Sequence, residues 1–393
     1  MSKLPTVILK PGKDARIASG YLWVFSGDIA RLDGHFEDGG IVDVRSPRGT
    51  WLGRGFINSR SALAVRVLTT QPESIDDGFW RRRVSAALAY RQRFVHGTTA
   101  SRLIYSEGDF LPGLIVDRYG DVLAMQTLAL GMDQRKAMLA DLLMELAAPA
   151  AIYERNDASV RRLEGLESRS GWLRGEGPSA VEIAEGGARF IVELEGGQKT
   201  GFYLDQRENR LAMAPYVPGA EVLDVFCYTG AFAVHAALAG ARSVTAIDSS
   251  ADAVAGARNA AILNQVEDRC EFIEANAFDA LRALVAEKAA YDTVILDPPP
   301  FAPTKESVER AAAGYKEINL RALRLLRPGG ILVTCSCSYH VGEALLLSIV
   351  AAAAADAHRR VRLIESRGQA RDHPVHPAMP ETQYLTCLVL EGG

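Results

Sequence analysis

Too few cysteines are present for a disulfide framework: Cys227, Cys270, Cys335, Cys337 and Cys387 are spread over 393 residues, and no histidine spacing accompanies them to suggest zinc. Reduced thiols and no bound metal are the expectation. Nor is there an apolar run long enough to span a bilayer, the stretch 344–355 being short and alanine-rich, and no positive segment followed by an apolar block opens the chain. A cytoplasmic protein with no membrane partner is therefore expected. A GxGxxG loop, which brings helix amides onto a pyrophosphate, is missing after the first strand of the α/β pattern described below, and this argues against a dinucleotide.

With 48% hydrophobic and 23% charged residues the chain has a globular balance, and its length calls for more than one domain. The net charge of -4 is unevenly spread. Residues 1–95 hold 15 Lys+Arg against 9 Asp+Glu, so the front is basic and the remainder acidic. A basic front suits a polyanion partner, although solvated surface charge explains it equally well.

Short β-branched runs broken by glycine over 6–70 predict a small β-barrel, with a helix over 76–94 that carries Arg81, Arg82 and Arg83. Residues 101–195 predict a small α+β domain, with a hairpin over 114–128, a helix over 132–146 and a strand from Ala151. From about Gly219 apolar strands and alanine-rich helices alternate: 221–226, 231–238, 243–248, 251–263, 270–274, 278–285, 293–297, 315–325 and 331–335. That alternation predicts an α/β, doubly wound parallel sheet. The expected division is 1–75, 76–100, 101–190 and 191–393.

In such sheets ligands sit beyond the carboxyl ends of the strands. There the first strand supplies Asp224 and the turn Phe226-Cys227-Tyr228-Thr229-Gly230, and the second ends in Asp248, placed as a ribose-binding carboxylate. Asn276, Ala277 and Phe278 follow the third strand, where an adenine would lie. The fourth runs into Asp297-Pro298-Pro299-Pro300-Phe301, whose prolines exclude helix and fix the loop. The fifth ends in Cys335-Ser336-Cys337-Ser338, two cysteines on one side of an extended segment. A thiolate there could add to C6 of a pyrimidine and make C5 nucleophilic toward an activated methyl group.

Together the Asp224–Gly230 turn, Asp248, Asp297-Pro298-Pro299 and Thr334-Cys335-Ser336-Cys337-Ser338 resemble the class I methyltransferase fold, and in particular the bacterial ribosomal large-subunit RNA cytosine-5 methyltransferase family. The segment from Gly197 to Arg207 resembles the family's stretch that lies over the cofactor, the segment from Glu107 to Asp117 its middle domain, and Trp23 to Gly27 with Gly53 to Phe56 its N-terminal PUA module. This resemblance implies S-adenosyl-L-methionine as cofactor and RNA, namely large-subunit ribosomal RNA, as partner; a homodimer stays open. It implies that Asp224, Phe226, Thr229 and Gly230 line the methionine end, Asp248 the ribose and Asn276 to Phe278 the adenine, with Lys199, Thr200 and Phe202 closing the pocket and Asp297 near both groups. The family usually has an acidic residue where Asn276 stands and a lysine where Pro300 stands. Counting from Gly329-Gly330 favours Cys337 as the nucleophile, whereas the Thr-Cys-Ser triplet favours Cys335; the first count is preferred. Asp297 or Glu381 would take the C5 proton. Candidate phosphate contacts are Arg16, Arg54, Arg60, Arg81 and Arg82. Methylation of another base or position without a covalent step, and an RNA-binding protein without chemistry, are the alternatives.

Overall fold

A computed structural model describes residues 4–195, 201–301 and 307–393. Its contacts divide the chain into two compact units, neither contiguous in sequence. The first comprises Met1–Ile183, Val192–Leu204 and Arg371–Thr382; the second comprises Ala184–Ile191, Asp205–Ala370 and Gln383–Gly393. Among the described residues no helix is long and apolar enough to cross a membrane.

The first unit opens with β1 (Thr6–Leu9), α1 (Asp14–Ala18), β2 (Trp23–Val24), β3 (Ile29–Asp33), β4 (Ile41–Arg45), β5 (Trp51–Ile57) and β6 (Val65–Thr69), whose strands form one sheet in the order β2-β6-β5-β4-β1-β3. Alternation sets its inner face: Val42 and Val44 are buried while their neighbours along β4 are half-exposed. Gly55 is required by closeness, because a Cβ there would collide with the backbone of Arg66 on β6. Helix α2 (Asp77–Phe94) starts where the Asp76 carboxylate accepts the Phe79 amide at 2.9 Å, and it buries Phe79, Trp80, Val84 and Ala87.

A second sheet follows, made of β7 (Ala100–Tyr105), β8 (Leu114–Tyr119), β9 (Val122–Thr127), β10 (Ala151–Asn156) and β11 (Arg169–Arg174), in the order β11-β10-β9-β8-β7. β8 and β9 pair antiparallel from Leu114↔Thr127 to Tyr119↔Val122, the hairpin that the Gly120-Asp121 turn predicts. The helix expected over 132–146 is two pieces instead, α3 (Leu130–Asp133) and α4 (Lys136–Ala147). At the break the Arg135 guanidinium donates to the Gly131 carbonyl at 2.6 Å and to that of Gly39 at 3.0 Å, so a side chain takes over a carbonyl at the end of the first piece. A two-stranded hairpin, β12 (Ala180–Glu185) and β13 (Ala188–Glu193), turns at Gly186-Gly187.

The second unit contains α5 (Arg207–Ala212), β14 (Glu221–Val225), α6 (Ala231–Leu238), β15 (Ser243–Asp248), α7 (Ala251–Leu263), β16 (Cys270–Glu274), α8 (Ala277–Ala286), β17 (Tyr291–Leu296), α9 (Val308–Leu325), β18 (Leu326–Ser336), α10 (Glu343–Ala357), β19 (Val361–Arg367) and β20 (Thr386–Gly392). Its seven strands run β16-β15-β14-β17-β18-β20-β19, parallel except for β20, which is antiparallel to both neighbours. This is the doubly wound α/β sheet expected from the alternation. Leu223, Val225, Val294, Leu296 and Leu332 are fully buried at its centre; burial of each such side chain stabilises by about 1.5–3 kcal/mol before chain entropy is charged. β18 starts earlier than the 331–335 run suggests, because Tyr291 pairs with Leu326 before the register shifts to Thr293 with Ile331.

Candidate active site

β15 lies on one side of β14 and β17, reached from β16, on the other, so the strand order reverses at β14 and opens a crevice beyond its carboxyl end. The turn at that end is tightly specified. Phe226, Tyr228 and Gly230 have φ values of 68°, 48° and 75°, and two of these left-handed residues carry side chains. Such backbone costs about 1–3 kcal/mol per residue and persists only when neighbours hold it. Here the amides of Phe226 and Cys227 both donate to the Ile247 carbonyl, at 2.9 and 3.0 Å, and the Tyr228 amide donates to the Asp248 carboxylate at 2.8 Å. At Gly230 a Cβ would come within 2.9 Å of the Ala257 side chain and 3.0 Å of the Phe272 ring, so only glycine lets α6 start there.

Asp248 serves two turns, accepting from Tyr228 with one oxygen and from the Ser250 amide, at 3.0 Å, with the other. Each oxygen keeps a further lone pair for a hydroxyl. Asp224 is different: it is fully buried, and among the described residues neither carboxylate oxygen is in good hydrogen-bond geometry, the Ala233 amide alone easing its charge. Burial, and then the charges of Asp297 and Asp248, push it up to about 8. A buried orphan acid beside two other acids calls for a cationic or donor group. A nucleoside bearing an amino group meets that demand, so the residues present fit S-adenosylmethionine.

Asn276 caps α8, its side-chain oxygen accepting the amides of Phe278 and Asp279 at 3.0 and 3.3 Å. Ala277 is buried, and Phe278 is half-buried against Phe301, with ring centroids 6.0 Å apart. The Phe301 ring also meets Phe226 at 6.2 Å and Tyr315 at 4.8 Å, forming an aromatic wall behind the proline loop. Thr229 is half-buried in the turn. Lys199 and Thr200 lie outside the described residues. Phe202 is buried within the first unit, where Glu381 accepts the Tyr21 hydroxyl at 2.7 Å.

The two cysteines expected on one side of the fifth strand have opposite surroundings. Cys335 is fully buried, and the strand register sets it directly opposite Cys387 of β20. The hydrogen bond with Cys387, and then burial, hold its thiol well above the ordinary range. Cys337 stands just past the end of β18, half-buried, with its Sγ donating to the Pro298 carbonyl at 3.7 Å. It therefore lies against the Asp-Pro-Pro loop. The Asp297 carboxylate in that loop accepts from the Gln206 amide at 2.8 Å, and Gln206 also bonds to Cys335. Cys227 is buried, and burial raises its thiol as well. Sequence reasoning missed Gln206 and Cys387 as neighbours of the site; only the quoted Gly197–Arg207 segment held a hint of the first.

The arginines proposed for phosphate all lie in the first unit, each against a carboxylate: Arg16 on Asp28 at 2.8 Å, Arg54 on Asp43 at 2.8 Å, Arg60 on Asp38 at 3.8 Å, Arg81 on Glu145 at 2.6 Å and Arg82 on Glu73 at 2.7 Å.

The family model described as S-adenosylmethionine-dependent methyltransferase matches residues 131–380, and a PUA-like domain model matches residues 7–70. A curated "Ribosomal RNA large subunit methyltransferase I" from Pseudoalteromonas atlantica is 42% identical over 387 residues, 98% of each chain. Its namesake from Klebsiella pneumoniae is 39% identical over 389 residues, 98% of this chain and 97% of that one. Among solved structures, a putative methyltransferase complexed with SAH superposes with a TM-score of 0.85 at 22% identity, covering 98% of this chain and 99% of that one. A putative SAM-dependent methyltransferase from Streptococcus mutans gives 0.84 at 20%, with the same coverage. At such identities these likenesses speak to the fold.

Proposed function

The chain belongs to the family of S-adenosylmethionine-dependent methyltransferases, with a PUA-like domain at its front, and from that membership we propose that it methylates C5 of a cytosine in large-subunit ribosomal RNA through a transient bond to Cys337. S-adenosylmethionine, when bound, supplies an electrophilic methyl group on a sulfonium. Asp224 accepts the amino end of that group, Asp248 takes ribose hydroxyls, and Phe226, Thr229, Gly230, Asn276, Ala277 and Phe278 form the remaining walls. Lys199, Thr200 and Phe202 are assigned to closing the pocket by resemblance alone.

The Cys337 thiolate adds to C6 of the base, forming a C–S bond and moving the C5–C6 π pair onto C5. C5 then bonds to the methyl carbon as the sulfonium S–CH3 bond breaks, its electron pair leaving with sulfur to give a neutral thioether. Asp297 takes the C5 proton, the C–H pair re-forms the C5–C6 double bond, and the C–S bond breaks to return the thiolate. Gln206 orients Asp297 for this task. A phosphate at Arg16, Arg54, Arg60, Arg81 or Arg82 would either share the guanidinium N–H groups with the carboxylate already there or displace it.

The observation that supports this reading best is the contrast between the thiols: Cys337 lies at the strand end beside the Asp-Pro-Pro loop, whereas Cys335 is shut inside the sheet against Cys387. The test is incubation with cofactor tritiated in the methyl group and large-subunit RNA, followed by nucleoside digestion and mass analysis. Label in 5-methylcytidine, lost in Cys337→Ala and kept in Cys335→Ala, is the expected result. Label in a purine, or undiminished label in Cys337→Ala, would overturn it.

A further inference from the structure

Phe110 is a large aromatic residue left 40% exposed in the first unit, on a backbone with φ of 58°, a conformation in which bulky residues are rare. It stands in the left-handed position that closes the single turn Ser106–Asp109. Two groups of the same unit frame its ring. The His376 ring lies behind it, centroids 4.9 Å apart, and is held at both nitrogens, Nε2 against the Gly20 carbonyl at 3.1 Å and Nδ1 accepting the Ala378 amide at 3.4 Å. The Arg83 guanidinium lies over the ring, 5.5 Å from the Phe110 centroid, and 5.1 Å from that of Phe79.

Arg83 differs from the other arginines of its run. Arg81 and Arg82 are each in an ion pair, whereas the hydrogen bond of Arg83 goes to the Leu68 carbonyl, at 3.1 Å. None of its remaining N–H groups is buried without a partner. An open groove of about 300 Å³, lined by Glu73, Phe79, Arg82, Arg83 and Ala86, runs past it. Glu73 is the carboxylate there, and it is occupied by Arg82 and Thr69.

We infer that Phe110, backed by His376 and flanked by Arg83, is a stacking platform for one unpaired base of the RNA, with Arg83 bonding to that nucleotide's base edge or phosphate. A fixed, solvent-facing ring beside a guanidinium with donors to spare is the chemistry that single-stranded RNA uses. The inference rests on the RNA reading of the previous subsection.

The test measures binding of the full chain to a dye-labelled, single-stranded oligoribonucleotide of about 12 nucleotides, within the range that such sites cover. Phe110→Gly is the informative variant, because glycine is at ease at this φ and the fold should survive the change. Its affinity is expected to fall about 10-fold or more, and Phe110→Trp should restore it, since stacking needs only a ring. Arg83→Gln should weaken binding and flatten its salt dependence. Wild-type affinity in Phe110→Gly, or no restoration by Phe110→Trp, overturns the platform while leaving the RNA reading in place. A wild-type chain with no measurable affinity for RNA overturns both.

Discussion

Asp117 on β8 of the first unit and Asp224 on β14 of the second are equally shut off from solvent, and their surroundings are opposite. Asp117 receives Arg102 in a two-pronged pair, Nε and Nη2 each at 2.8 Å. Around it the pattern repeats: Arg66 is shared by Glu107 and Glu164, and Arg91 meets Asp109 and three backbone carbonyls. Among the described residues Asp224 has no such cation, and the charges that act on it are those of two further acids. A buried carboxylate that is matched inside the protein is architecture, because its desolvation is already offset. One without an internal cation carries a desolvation cost that a bound donor or cation can offset.

The largest effect expected from this comparison lies at the unmatched end. Cys337→Ala should lower methyl transfer by at least ~10³-fold, as loss of a covalent nucleophile does, while cofactor binding by calorimetry is unchanged. Cys335→Ala should keep most of the activity. The reverse pattern would mean that burial against Cys387 does not disqualify a thiol, and the comparison would lose its force.

At the matched end, Asp117→Ala leaves Arg102 half of a pair with its partner gone. It should cost about 3–5 kcal/mol of unfolding free energy in a denaturant titration, since breaking a buried pair exposes an uncompensated charge. A loss below ~1 kcal/mol would show that this pair is not what holds the second sheet.

Asp224→Asn should do the opposite to stability and yet harm binding. An acid raised to about 8 in the fold, against 3.8 as its ordinary value, binds more protons folded than unfolded between those limits. Stability of the cofactor-free protein therefore falls as pH rises from about 4 to about 8 and then levels off. The asparagine variant escapes this loss, so it should melt higher than wild type at pH 8, with the gap closing toward pH 4. Its cofactor affinity should fall about 10-fold or more. Equal melting of the two proteins across this range would indicate that Asp224 already has an internal partner.

Much of this was legible in the chain because strand ends are punctuated. The limits expected for α6, β15, α7 and β16 are those found, since Gly230, Arg242, Ser250 and Arg269 stand just before them. Asp224, Asp248, Asp297 and Cys337 could be picked out by the same logic, because in a parallel sheet the carboxyl end of every strand faces one crevice. What could not be read depends on distant pairing. The fate of Cys335 is set by the register of β18 against β20, some fifty residues away, and that of Asp297 by Gln206, which precedes the sheet. The broken helix at Gln134-Arg135 was equally hidden, as its cause is a guanidinium reaching Gly39, about a hundred residues upstream.

The smallest effects concern the paired arginines on the basic front, and they probe whether pairing marks structure at the surface as it does inside. Arg60 is 74% exposed and only loosely held by Asp38 at 3.8 Å, whereas Arg54 is 18% exposed and bonds both Asp43 and the Glu73 carbonyl. A phosphate can take Arg60 from its weak partner at little cost, but must outcompete two short bonds for Arg54. Replacing Arg60 by alanine should therefore reduce the slope of log affinity against log salt by about 0.7–0.9, the signature of one lost phosphate contact, with a modest loss of affinity. Replacing Arg54 should leave the slope nearly unchanged and show its effect in melting instead. Equal slope changes for the two would mean that internal pairing does not withhold an arginine from RNA, and the division between matched and unmatched charge would then hold only for the buried acids.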